Sequence, residues 1–180
     1  MPKATTINAR SSSITNAFVN GIIPSIMPTD EEISEVLSVL DMNEETICCA
    51  YCGDKMTEWD HFRPLVMNKM PTGYISEICN LVPSCGKCNQ SKGNKDWKKW
   101  MLSDANLSPK SRNIKDIDIR IKRLEAFELK FKPMKINIED VVGKERWEKY
   151  QSMRIELLNK MQEAQQLSDE LKIILIEAKE

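Results

Sequence analysis

Apolar positions recur at threes and fours in several stretches of the chain, and each stretch predicts a helix with one buried face. Ile33, Val36, Leu37 and Leu40 share a face over residues 31–40, with Asp30 placed to cap that helix. Ile117, Ile121, Leu124 and Phe127 mark a second over residues 114–131, which Pro133 stops. Residues 139–179 contain no proline and only Gly143 near their start. Trp147, Tyr150, Leu157, Met161, Ala164, Leu167, Leu171 and Ile174 repeat there at helical spacing. They predict one long amphipathic helix, or two with a bend near Ser168-Asp169, packed on itself or on another subunit. Residues 87–102 read as helical with a break at Gly93-Asn94. The short apolar runs at 57–62 and 78–82 read as strands or extended segments. Residues 1–29, with Ser11-Ser12-Ser13 and two internal prolines, read as an arm of weak structure.

The pattern predicts an α+β, mostly α protein: an arm and helix over 1–46, a compact core over 47–104 and a helical region over 105–180. Its 180 residues are 41% hydrophobic and 29% charged, ordinary for a globular chain. No apolar run approaches the ~20 residues of a membrane span, and the N-terminus has no hydrophobic stretch of signal-peptide length. The expected location is therefore a reducing cytoplasm with no membrane partner. Six cysteines in such a setting argue for metal ligands or reactive thiols rather than disulfides.

The net charge of −1 predicts no partner, but the charges are unevenly placed. Residues 28–60 hold ten acidic side chains and one basic; residues 87–132 hold thirteen basic and six acidic. Such a basic block suits either a nucleic-acid face or a solvated helix surface.

Cys49-x-x-Cys52 and Cys85-x-x-Cys88 form two knuckles, with Gly53 and Gly86 fitting the tight turns. A two-residue gap lets both sulfurs of a knuckle face one ion, and four thiolates suit tetrahedral Zn²⁺. Four cysteine ligands leave no open position, so the zinc would be a staple and not a catalyst. Cys48 could replace Cys49 in a wider knuckle, and Cys79 reads as a small buried hydrophobe. The plainer alternative is four buried free thiols.

Within and beside this staple lie Trp59-Asp60-His61-Phe62-Arg63-Pro64, Cys79-Asn80-Leu81-Val82-Pro83 and Cys88-Asn89-Gln90-Ser91-Lys92-Gly93-Asn94. In these residues the chain resembles the HNH endonucleases of the ββα-metal class, in the subgroup clamped by two CxxC knuckles. The resemblance covers about residues 47–101. The family's three motif positions fall on Asp60-His61, Asn80 and Asn89, an H-N-N version. It implies that His61, the only histidine, takes a proton from the attacking water. Asp60 and Asn89 would be oxygen ligands of a catalytic Mg²⁺ or Mn²⁺. Asn80 would hold the loop that aims His61, and Lys92 would point at the same phosphate. Lys87, Lys92, Lys95, Lys115, Lys122 and Arg123 are the expected DNA contacts. Trp97 and Trp100 are expected in the core rather than stacked on bases.

The expected function is a metal-dependent endonuclease on double-stranded DNA, of the type II restriction kind. It would act as a homodimer through the long helix and in partnership with a cognate DNA methyltransferase. The alternatives are a monomeric nicking or homing-type nuclease, and a zinc-ribbon DNA binder without activity.

Overall fold

The computed structural model describes residues 5–179 and divides into two compact units, residues 23–136 and, from the two ends of the chain, residues 5–22 with 137–179.

The larger unit is organised around a strand pair and the helix after it. β1 (Glu58–His61) runs antiparallel to β4 (Leu81–Ser84), in a register that sets Glu58 opposite Ser84 and His61 opposite Leu81. The chain then enters α3 (Gly86–Lys92) directly. Between the strands, residues 62–80 form a loop carrying the small hairpin of β2 (Val66–Met67) and β3 (Met70–Pro71). The loop ends in a 3₁₀ turn at Ile78–Asn80, where the sequence suggested extended chain.

Two helices close the core over this ββα unit. In α2 (Asp30–Val39) the cap is Thr29, not Asp30: Thr29 Oγ1 accepts from Glu32 N, and Glu32 returns a carboxylate to Thr29 N. That reciprocal box leaves Asp30 in the first turn, where its charge favours the helix dipole. α5 (Ile117–Lys130) lays Ile121, Leu124 and Phe127 inward, and the chain leaves the helix before Pro133. Phe62 sits at the junction, its ring 5.1 Å from Phe127 and 5.2 Å from Trp97. Trp97 and Trp100 lie on α4 (Trp97–Met101) and are buried, as core and not as base-stacking surfaces. α3 and α4 are separated by a break at Gly93 (φ 52°), where the sequence placed one.

The smaller unit corrects the reading of residues 1–29 as a weakly structured arm over residues 7–21; residues 1–4 lie outside the described residues, and residues 23–29 form no helix. A 3₁₀ turn (Ile7–Arg10) leads into α1 (Ser11–Gly21), whose Thr15 and Val19 are buried. The serine run forms the first turn of a helix, where serine is well tolerated. α6 (Ile138–Val142) ends at Gly143 (φ 85°), and α7 (Lys144–Glu177) then runs 34 residues without interruption. The chain changes direction at Gly143, because its backbone demands the left-handed region, and not at Ser168-Asp169. At 1.5 Å per residue α7 is about 50 Å long. Tyr150 donates to Phe18 O at 2.8 Å, and Gln165 Oε1 accepts from Ile7 N at 2.6 Å, tying α7 to the N-terminal segment. Among the described residues, no helix is long and apolar enough to cross a membrane.

Candidate active site

The four knuckle cysteines converge. The Sγ atoms of Cys49, Cys52, Cys85 and Cys88 lie within 4.8 Å of one another and all four residues are buried. Four soft sulfurs at this spacing fit the donor set of a structural zinc. Cys49, not Cys48, supplies the first sulfur; Cys48 forms a bridge to Lys55 and, like Cys79, stays outside the cluster. Hydrogen bonds among the sulfurs split their acidities, holding Cys52 down and raising Cys49 and Cys88.

Two arginines from outside the knuckles hold this staple. Arg112 Nη2 donates to Cys88 Sγ at 2.8 Å and its other branch reaches Asp54 at 3.4 Å. Arg120, on α5, donates to Cys49 O at 3.1 Å and pairs with Asp116 at 2.7 Å. Gly53 (φ 79°) lies directly beneath that guanidinium: a Cβ there would stand 2.3 Å from Arg120 Nη2.

β1 and α3 face each other through two polar contacts. Strand residues alternate sides, so Glu58 and Asp60 both point toward α3, where Asn89 and Lys92 lie one turn apart. Asn89 Nδ2 donates to Glu58 Oε2 at 2.6 Å, and Lys92 Nζ pairs with Asp60 Oδ2 at 2.9 Å. Tyr51 donates its hydroxyl to the same Asp60 oxygen at 2.6 Å. Asp60 is 4% exposed; burial pushes its carboxyl up, against the pull of Lys92 and Tyr51. Tyr51 is pushed well up by the same burial and by the Asp60 charge. Lys92, expected to point at a phosphate, has no exposed surface, and its ammonium also donates to His61 O at 2.8 Å and to Gly93 O.

His61 ends β1 and turns to the other side, where Nε2 meets Ser76 Oγ at 2.9 Å. Burial, and then the Lys92 charge, push its pKa below the usual imidazole value, which keeps the ring neutral at neutral pH. Asn80 is fully buried and clasps the backbone of Arg63, accepting from its N–H at 2.9 Å and donating to its carbonyl at 3.0 Å. Phe62 N–H adds a bond to Asn80 O at 2.8 Å, so the turn leaving His61 is fastened at three points to Asn80, the last residue of the 3₁₀ turn before β4. Lys87, Lys95, Lys115 and Lys122 are exposed, whereas Arg123 pairs with Asp41.

Glu58, Tyr51, Ser76, Arg112 and Arg120 were absent from the residues singled out in the sequence. Strand alternation alone places Glu58 on the Asp60 face. Nothing local marks the other four as partners of the site, because each reaches it only through the fold.

The comparisons with known proteins agree with this geometry. Residues 49–95 match a family model described as HNH endonuclease. No curated protein and no solved structure matches the chain. The matched segment holds both knuckles, the β1–β4 pair and α3, and over residues 49–95 the chain is similar to the HNH endonucleases, with a four-cysteine cluster consistent with a zinc-binding member of that family.

Proposed function

We propose that this protein is a divalent-metal-dependent HNH endonuclease that hydrolyses phosphodiester bonds in double-stranded DNA, as a homodimer of the type II restriction kind. The observation that carries the reading is the grouping of Asp60, His61, Asn80 and Asn89 on one ββα unit within the matched segment.

The hard oxygens of Asp60 and Asn89, with the Glu58 carboxylate between strand and helix, suit Mg²⁺ or Mn²⁺ as donor chemistry. When bound, such an ion stabilises charge on the scissile phosphate and the leaving oxygen. The protein's own groups do the rest. His61, neutral and oriented by Ser76, accepts a proton from water, a role that contributes ~10²–10⁴-fold. Asn80 holds the Arg63 backbone and so fixes where the His61 ring begins. The cysteine cluster holds the strand pair and α3 in place and takes no part in the chemistry. Exposed Lys87, Lys95, Lys115 and Lys122 supply phosphate contacts.

One such site cuts one strand, so a double-strand break needs two copies. α7 supports that requirement with an exposed stripe at alternating four- and three-residue steps: Met153, Leu157, Lys160, Ala164, Leu167, Leu171 and Ile174. That is the spacing a two-stranded coiled-coil seam requires, interrupted once by a lysine. A restriction role further calls for a methyltransferase that protects the same sites.

Incubation of purified protein with supercoiled plasmid and Mg²⁺ or Mn²⁺ tests the reading. Linear product is expected; open circles alone would mark a monomeric nickase, and unchanged plasmid a zinc-ribbon binder. His61→Ala should abolish cleavage while keeping zinc content and DNA binding. Cleavage by that variant above a few per cent of wild-type rate would remove His61 from the mechanism.

A further inference from the structure

We infer that Glu58 is a positioning residue: its carboxylate holds the side-chain nitrogen of Asn89 and thereby presents Asn89 Oδ1 to the catalytic ion. The inference rests on the reading of Asn89 as a metal ligand given above. An amide can turn either end toward a neighbour, and only one end can ligate a hard cation. A carboxylate only accepts hydrogen bonds, so an amide facing it must offer nitrogen. The contact is short, Asn89 Nδ2 to Glu58 Oε2 at 2.6 Å, and joins the first residue of β1 to the middle of α3.

Three features suit Glu58 to this role. It lies two residues before Asp60, on the same face of β1. Among the described residues it forms no ion pair, so its charge is not spent on a lysine or arginine as that of Asp60 is. Its second oxygen, Oε1, would be 3.1 Å from a Cβ on Gly86, so glycine at the start of α3 leaves the carboxylate its room. Residues behind a ligand typically change metal affinity 10–100-fold when removed.

The test uses Mn²⁺ alone as probe, with affinity read by electron paramagnetic resonance of free Mn²⁺ on the zinc-loaded full chain. Glu58→Ala should weaken Mn²⁺ binding by about tenfold or more. Glu58→Gln, whose amide oxygen can still accept from Asn89, should recover most of it. Zinc content and denaturation midpoint establish that both variants are folded. In the wild type, added Mg²⁺ should shift the Asn89 side-chain amide resonances, a measurement that needs no variant. Unchanged affinity in Glu58→Ala, or Glu58→Gln as weak as Glu58→Ala, overturns the positioning role while leaving the nuclease reading intact. Wild-type protein that neither binds Mn²⁺ nor responds to Mg²⁺ overturns both together.

Discussion

Lys92 is where the meaning of a residue depends most on what surrounds it. Its spacing from Asn89 correctly places both on one face of α3, but that face is turned into the protein. Lysine is rarely buried unless paired, and here the Asp60 carboxylate, with two backbone carbonyls, satisfies it. Losing one partner of such a pair strands the other, at a cost of ~3–5 kcal/mol. Lys92→Ala should therefore lower unfolding free energy by about that much in urea titrations. The loss should be much smaller when made on an Asp60→Asn background. Equal losses on both backgrounds would mean that the pair is not what holds Lys92. Any fall in cleavage by the single variant must then be read against lost structure.

At the scale of elements, the zinc staple and the ββα unit depend on each other. The first knuckle precedes β1 and the second spans the β4–α3 junction, so one ion held by the four sulfurs would fasten the start of β1 to the end of β4, at one end of the antiparallel pair, and both to α3. A structural Zn²⁺ site contributes ~10–16 kcal/mol of binding free energy, more than the stability of a typical domain. Cys88→Ser, or prolonged chelation, should unfold residues 23–136 as seen by loss of near-ultraviolet circular dichroism. Retention of that signal in a zinc-free sample would show that the core stands without the metal. The unit of α1 and α7 makes no contribution to the cysteine cluster, and its helical signal should survive either treatment.

For the whole molecule, the uneven charge is partly answered within the larger unit. Four bases of the 87–132 block meet acids of the 28–60 block: Lys92 with Asp60, Arg112 with Asp54, Arg123 with Asp41 and Lys130 with Glu35. The remaining exposed lysines are the phosphate contacts proposed above. With about six phosphate contacts the log–log salt slope of binding would be near −5, from ~0.9 per contact. Replacing Lys115 and Lys122 should flatten it by about one unit per contact, while Arg123→Ala should change it less. Equal slopes for wild type and the Lys115→Ala/Lys122→Ala variant would place the DNA elsewhere. The α7 stripe carries a separate expectation. Leu167→Glu with Leu171→Glu should give monomers by sedimentation and open circles in place of linear plasmid. A dimer that survives both changes would rule this seam out.

The sequence by itself determined the cysteine staple, the helices at 31–40 and 114–131, the long C-terminal helix and the segment that holds the site. Those features are local: helical period, knuckle spacing and proline stops act within a few residues. It did not determine that Thr29 caps α2, that the serine run begins a helix, or that α7 runs unbent past Ser168. Nor did it reveal that Asp60 is locked by Lys92 and Tyr51, that Glu58 holds Asn89, or that Ser76 orients His61. Only the tertiary structure decided these. Each depends on which face of an element is turned inward and on which distant side chain then meets it, and no periodicity along the chain carries that information.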